Sequence, residues 1–342
     1  MKILFLLGIV GIAIFIARLL AVYTTYYKGP ESDHFDGVRF FNPGFNDDKS
    51  NADLRKWQKE RVPTVWPVHV ENKGYEKPPV RVEGDTLHVT FVGHATFLIQ
   101  TAGLNILTDP FLSDRASPLS FIGPKRVRKP GLLFDEIPPI DVILVSHNHY
   151  DHLDRATLRK LINRDDPLIL TPLGNDALIS GARTLDWGQG VPVKEGVTIT
   201  LEQAYHWSAR GIYDRRKALW GAFVIQTPGG PIYFGGDTGY RDGATFKRAG
   251  TKYGPFRLSL LPIGAYSPRW FMATSHMDPE QAVQAHMHLN SKFSLGMHFQ
   301  TLQLTDEGIE DPAKELAQGL AKTGIPPETF IAPDIGQTFD IR

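Results

Sequence analysis

A chain of 342 residues, 42% of them hydrophobic, is long enough for one large domain or two and can build a substantial core without staples. Lys plus Arg and Asp plus Glu both number 37, so no global basic field argues for a nucleic-acid partner. The absence of Cys removes disulfides, thiolate nucleophiles and Cys-based zinc sites together and leaves the redox compartment open.

The chain opens with Lys2, an almost purely apolar run at 3–17 and, after Arg18, the apolar residues 19–23. As a helix this stretch is roughly 30 Å long at about 1.5 Å per residue, which matches a bilayer core. Arg18 can snorkel, and Tyr23, Tyr26 and Tyr27 suit the interface. Cleavage after Ala17 or Ala21 would put Phe15 or Leu19 where a small residue is needed. Residues 1–27 are therefore expected to be an uncleaved membrane anchor, with a cleaved secretory signal as the alternative. Lys2 and Lys28 flank the run on both sides and barely fix its orientation, and a periplasmic or other extracytoplasmic placement is the expectation. Residues 28–83, rich in Pro, Gly, Asn and charge, read as an irregular linker lying on the domain, with one short helix at 52–60. Within it, His34 and Asp36 are expected in a surface turn.

Residues 84–342 carry the regular strand and helix signals expected of the main folded domain. Apolar runs at 87–92, 96–101 and 105–108 predict a meander of short strands. Between and after them lie His94 and Asp109, an imidazole and a carboxylate at strand ends, where each can orient a metal ligand or simply form a turn. The segment 113–129 sets Leu119, Phe121 and Ile122 beside Lys125, Arg126, Arg128 and Lys129. That composition suits either contact with anionic headgroups or, more commonly, a packed loop with a solvated basic rim.

A buried strand at 140–144 then runs into Val145-Ser146-His147-Asn148-His149-Tyr150-Asp151-His152-Leu153-Asp154. Three imidazoles and a carboxylate within six residues make a poor core and an unusually dense surface turn, so metal binding explains them better. In extended chain His147, His149 and Asp151 would point to one side and His152 to the other, so one loop can serve two cations. Imidazole and carboxylate without thiolate suit Zn²⁺, with Mn²⁺, Fe²⁺ and Co²⁺ as alternatives. A helix capped by Asp154 follows, over 154–162, and a further strand at 168–171.

Four later apolar runs close on polar groups or precede them: 197–204 before His206, 231–235 before Asp237, 257–262, and 293–297 before His298. Rigid strands ending in His or Asp are what a metal site at a sheet edge needs. Two helices open on Asp278-Pro279 and Asp311-Pro312, a cap followed by Pro at the first helical position. His286 and His288, two apart, do not share a helical face and read as surface or packing residues. No internal repeat is visible.

The His-x-His-x-Asp-His pattern resembles the metal signature of metallo-β-lactamase-fold hydrolases. More specifically, from about Val38 to the C-terminus the chain is similar to the N-acylphosphatidylethanolamine-hydrolysing phospholipase D family. The resemblance rests on Val92-Gly93-His94-Ala95-Thr96, Leu107-Thr108-Asp109-Pro110, Gly236-Asp237-Thr238-Gly239-Tyr240, Pro262-Ile263-Gly264-Ala265-Tyr266 and His276-Met277-Asp278-Pro279-Glu280. It implies an α+β fold, a four-layer αββα sandwich preceded here by the N-terminal anchor helix. It also implies two Zn²⁺ ions, one held by His147, His149 and His206, the other by Asp151, His152 and His298, with Asp237 bridging. His94 and Asp109 would support the ligands, His276 would sit beside the substrate phosphate, and Tyr150, Trp270 and Phe271 would contact substrate. Phe299-Gln300-Thr301 departs from the Trp-Gly-Thr of animal members, which bears on the exact lipid.

Two metals about 3.5 to 4 Å apart can share a water and lower its pKa towards 7, supplying the nucleophile that a chain without Cys or a triad otherwise lacks. The expected reaction is hydrolysis of a membrane phospholipid, N-acylphosphatidylethanolamine, to phosphatidic acid and an N-acylethanolamine. A hydrolase of lactones or soluble phosphoesters and a non-enzymatic, metal-stabilised membrane scaffold are the alternatives, and association as a homodimer is left open.

Overall fold

The computed structural model describes residues 26–45, 49–211 and 213–341, so most of the expected anchor helix, residues 1–25, lies outside the described residues. Among the described residues no helix is long and apolar enough to cross a membrane.

Two seven-stranded sheets form the body. The first is built from β1 (Leu87–Gly93), β2 (Thr96–Thr101), β3 (Leu104–Thr108), β4 (Val142–Leu144), β5 (Leu168–Pro172), β6 (Arg183–Leu185) and, joining from the far end of the chain, β14 (Thr338–Ile341). The second holds β7 (Gly190–Lys194), β8 (Val197–Glu202), β9 (Ala222–Gln226), β10 (Ile232–Phe234), β11 (Leu258–Pro262), β12 (Ser294–Met297) and β13 (Phe330–Ile331). Their orders are β14-β1-β2-β3-β4-β5-β6 and β13-β12-β11-β10-β9-β8-β7. From β14 to β3 and from β7 to β10 every contact is antiparallel, and from β3 to β6 and from β10 to β13 every contact is parallel. The two sheets thus share one topology that no repeat in the sequence announces.

Alternation along the strands sorts side chains into two cores. Phe91, Phe97, Ile99, Ile106 and Leu144 of the first sheet share a buried cluster with Ile199, Val224 and Leu260 of the second, so the sheets pack face to face. Val92, Leu98, Leu107 and Ile143 point the other way, onto Leu158 and Leu161 of α2 (Arg155–Asp165). Burial on both faces is why these strands read as apolar runs. The outer face of the second sheet is covered by α3 (Ala244–Tyr253), α5 (Pro279–His288) and α6 (Asp311–Thr323), through Phe246, Ala282, Val283, Leu316 and Leu320. Truncating an inward ring such as Phe91, fully buried, is expected to cost about 3–5 kcal/mol.

Asp154 caps α2 as expected, accepting from the Ala156 and Thr157 amides, and Asp278 caps α5 with Pro279 in its first turn. At Asp311 the expectation needs correcting: Glu310 holds the cap position, and the Asp311 carboxylate instead closes the preceding turn by accepting from Gly308 N at 2.7 Å. His34 lies in a turn closed by Ser32 N and Phe35 O, with Asp33 and Asp36 exposed as expected, but its ring is buried. Phe35 and Phe40 bury themselves in the main cluster and draw His34 inward, where its ring stacks on Trp187 and its nitrogens meet Asp33 at 2.6 Å and Asp186 at 2.8 Å.

Candidate metal centre

The candidate residues converge. His147 follows β4, His206 follows β8, Asp237 follows β10 and His298 follows β12. His94 (φ 58°), Asp109 (φ 32°) and His298 (φ 63°) lie in the left-handed region, which costs an L-residue about 1–2 kcal/mol. Backbone hydrogen bonds hold them there, His298 N to His94 O at 2.8 Å and Asp109 N to Leu144 O at 2.8 Å. Gly236, with φ 55°, lets the Asp237 turn approach Ser146, whose Cβ would lie 2.7 Å from any added Cβ.

The histidine loop corrects the extended-chain expectation. His152 N and Leu153 N both donate to His149 O, so residues 149–152 form a turn. Alternation no longer applies, and Asp151 gathers with His94, His152 and His298 while His147 and His149 gather with His206.

Hydrogen bonds fix which nitrogen each ring offers. Ser146 Oγ donates to Asp109 Oδ2 at 2.6 Å and so accepts from His147 Nδ1 at 2.9 Å, while His206 Nδ1 donates to Ser275 O at 3.0 Å. Both rings therefore present a bare Nε2 inward, at 2.9 and 3.2 Å from His149 Nδ1. One N–H at most is available to two acceptors, and a cation bound by all three nitrogens resolves the conflict. Across the site His152 Nδ1 donates to Asp109 Oδ2 at 2.6 Å, which turns its Nε2 towards Asp237 Oδ2 at 3.2 Å and Asp151 Oδ2 at 3.5 Å. His298 Nε2 is 3.2 Å from both carboxylates, and His94 Nε2 reaches Asp151 Oδ2 at 2.8 Å. Asp237 Oδ2 lies between the two groups, 3.9 Å from His147 Nε2, 3.8 Å from His206 Nε2 and 4.0 Å from His276 Nδ1. The buried atoms His149 Nε2, His152 Nε2, Asp237 Oδ1 and His276 Nδ1 find no hydrogen-bond partner. Such a donor set fits metal ions held on N and O ligands.

Electrostatics divide the site the same way. Burial, reinforced by neighbouring imidazoles, holds His147 and His206 well below the usual histidine range and His149 at about 4. These rings stay neutral and ready to ligate. Burial would also depress His152 and His298, but Asp237 and Asp151 outweigh it, lifting His152 well above its ordinary value and His298 to about 9. Burial opposes ionisation of Asp151 and Asp237, yet the field of His152 keeps both well below the usual carboxylate range.

A pocket of about 450 Å³ opens over this cluster, reaching His149, Asp151, Asp237, His276 and His298. Its outer walls are apolar: Leu54 and Trp57 of α1 (Asn51–Glu60), Phe271 and Met272 of α4 (Arg269–Met272), and Leu304. Trp57 stacks on Phe271 at 4.9 Å and 7°. Tyr150 and Phe271 line the pocket, whereas Trp270 is 42% exposed at the outer rim, edge-on to Phe271 and beneath Lys56. Sequence reasoning missed the α1 wall, Ser146 and Glu307. The Glu307 carboxylate accepts from the Ala265, Tyr266 and Ser267 amides and shapes the loop after β11. Only Ser146 carried a signal, its place next to His147.

Two face-to-face sheets with outer helices and a His/Asp cluster at one edge define a metal-dependent hydrolase of the metallo-β-lactamase type. The family description "Beta-lactamase superfamily domain" matches residues 104–299. The chain is 37% identical to N-acyl-phosphatidylethanolamine-hydrolyzing phospholipase D 1 of Caenorhabditis elegans over 74% of its own length and 76% of that protein's. It is 34% identical to the mitochondrial N-acyl-phosphatidylethanolamine-hydrolyzing phospholipase D of Saccharomyces cerevisiae over 80% of its own length and 58% of that protein's. Igni18, a metallo hydrolase from Ignicoccus hospitalis, superposes with a TM-score of 0.56 at 21% identity, covering 75% of this chain and 99% of Igni18. The chain belongs to the metallo-β-lactamase superfamily.

Proposed function

We propose that the chain is a dinuclear metal-dependent phosphodiesterase of phospholipase D type, which hydrolyses N-acylphosphatidylethanolamine to phosphatidic acid and an N-acylethanolamine. The observation that carries this reading is an apolar-walled pocket, with Leu54, Trp57, Phe271 and Met272 above and Asp237 and His276 below, which suits a phosphodiester borne on acyl chains. The names of the two phospholipase D relatives support it. His147, His149 and His206 would hold one cation and Asp151, His152 and His298 the other, with Asp237 facing both. Zn²⁺ suits the donors, and Mn²⁺, Fe²⁺ or Co²⁺ would be tolerated. When bound, the cations supply a nucleophilic water at neutral pH and positive charge against phosphoryl oxygens.

The protein's own groups orient ligands and substrate. Asp109 and Ser146 set the ring tautomers, and His94 steadies Asp151. His276, held neutral by burial at about 4, can offer a phosphoryl oxygen one hydrogen bond from beside Asp237. Trp57 and Phe271, stacked on each other, give the wall above the cluster an apolar surface. The apolar run at 3–23 would keep the pocket near its bilayer substrate, on the extracytoplasmic side, raising the effective concentration of lipid. The test is incubation of metal-quantified protein with a total lipid extract and mass spectrometry of the species that vanish. Loss of N-acylated phosphatidylethanolamine with gain of phosphatidic acid is expected. Untouched lipids with cleavage of lactones or soluble esters would replace this reading with the alternative hydrolase.

A further inference from the structure

We propose that an arginine-lined hollow beside the metal loop is a second, non-catalytic site, which takes the phosphate-type headgroup of an anionic lipid. The proposal does not depend on which bond the metal centre breaks.

The hollow, about 590 Å³, is lined by Arg115, Arg155, Arg159 and Arg210, with Tyr150 as the wall it shares with the metal pocket. Two carboxylates, Asp114 and Asp154, also line it. Asp154 is already committed, for it accepts from Ser113 N, Ala156 N, Thr157 N and Thr157 Oγ1. Arg155 and Arg159 are one turn apart on the same face of α2, and among the described residues neither has a hydrogen bond or ion pair. They also stand in the first two turns of the helix, whose N-terminus Asp154 caps. A cation there opposes the helix dipole, so these arginines do not serve the stability of α2. An anion in the hollow would meet these guanidinium groups, while the amides at the start of the helix stay with Asp154.

Two further contacts tie the hollow to the catalytic loop and to the bilayer. Arg210 Nη1 donates to Asn148 O at 2.9 Å and Leu153 O at 2.7 Å, bracing both ends of the turn that carries His149, Asp151 and His152. Its guanidinium also lies 3.8 Å from the centre of the Tyr150 ring. An anion that engages Arg210 is therefore felt by the metal loop. Tyr26, which the apolar run 3–23 closely precedes in sequence, packs in one buried cluster with Leu153 and Leu178, and Leu178 lines the hollow. Its hydroxyl donates to Asp214 Oδ2, which also accepts from Arg210 N. A membrane segment leading into Tyr26 would bring the hollow to the headgroup layer, which favours a lipid over free phosphate.

The test compares holoenzyme with its Arg155→Ala/Arg159→Ala variant by calorimetric titration with inorganic phosphate, dioctanoyl phosphatidic acid and dioctanoyl phosphatidylcholine. Hydrogen exchange of segments 113–120 and 153–160 is followed in parallel. Replacing cations at a helix N-terminus by Ala leaves the fold intact, and the thermal midpoint checks this. Phosphate binding at the metal centre is common to both proteins. The wild type is expected to bind one additional phosphatidic acid per chain and to protect both segments, and the variant to bind it at least tenfold more weakly without protection. Equal stoichiometry and protection in the two proteins would overturn the site. Free phosphate binding there as tightly as phosphatidic acid, or phosphatidylcholine binding equally well, would overturn the lipid headgroup as occupant.

Discussion

Asp109→Asn probes the point on which the orientation of both metal sets depends. In the native protein Asp109 Oδ2 accepts from Ser146 Oγ and His152 Nδ1, each at 2.6 Å, while Oδ1 accepts from Ser146 N at 2.7 Å. Asn keeps the shape, and its oxygen stays with the Ser146 amide, so its NH₂ takes the place of Oδ2. There it faces two hydrogens. The Ser146 hydroxyl can turn and accept, keeping its lone pair for His147 Nδ1 and losing one hydrogen bond, about 1 kcal/mol. His152 can only respond by changing tautomer, which moves its proton to Nε2, the atom facing Asp237 and Asp151. Losing a charge-assisted bond to a buried carboxylate costs about 1.5–3 kcal/mol, or roughly 10- to 100-fold in affinity at the set containing His152. The set containing His147 should weaken by less than tenfold. Competition between the protein and a fluorescent chelator resolves the two constants, with circular dichroism to confirm the fold. Unchanged affinity at both sites, or equal loss at both in a folded protein, would refute the tautomer argument.

Four other outcomes are expected. Dialysis against a chelator should abolish turnover, and Zn²⁺ or another of the candidate cations should restore it; full activity in stripped protein would end the metal reading. Trp270→Ser/Phe271→Ser should lower activity on vesicles at least tenfold more than on a short soluble phosphodiester, and equal loss on both would show that these rings do not serve the lipid. Gly236→Ala forces an L-residue into φ 55° against Ser146, so a destabilisation of about 1–3 kcal/mol and weaker metal binding through Asp237 should appear in denaturation and metal titrations. His286, bonded to Ser294 and held at about 4 by burial, stays neutral in the folded chain while the unfolded chain takes a proton near 6.5. Its contribution is thus intact above the unfolded value and is lost as pH falls towards 4, by about 2 kcal/mol between pH 8 and 5. Urea midpoints of wild type and His286→Gln should diverge over that range, and parallel curves would count against it.

The histidine loop was legible because a cluster of ligand-type residues is costly anywhere but around a cation, and the strands because burial on both faces leaves uninterrupted apolar runs. The partition of Asp151, which the family resemblance supplied, was not legible in the residue pattern itself. It depends on a turn closed by two backbone bonds to His149 O, which the side-chain pattern does not record. The helix α3 escaped notice because Phe246 is the one large apolar side chain on its buried face, the others being Thr245, Ala249 and Gly250. The pocket wall from α1 was hidden differently: two apolar residues, Leu54 and Trp57, on a charged helix mean nothing until the chain is seen to fold back over α4. Glu307 is one acid among many in sequence, and only the three amides converging on it reveal its task.

Topology explains why residues so far apart meet. In the first sheet β1 is antiparallel to β2 and β2 to β3, so β1 and β3 run the same way, and β4 runs parallel to β3. Their carboxyl ends, leading to His94, Asp109 and His147, therefore leave the sheet at one edge. The second sheet repeats the logic: β8 and β10 are both antiparallel to β9, and β11 and β12 run parallel to β10. The ends of β8, β10 and β12 emerge together and deliver His206, Asp237 and His298. Facing the two edges across a single core puts half of the polar set on each sheet. Cations bound there would cross-link the halves of the sandwich, so loading at about 100 times Kd should add about 2.7 kcal/mol per cation to the stability of both sheets at once. A shared topology thus does for this site what no local motif can, since each sheet alone supplies an incomplete set of ligands.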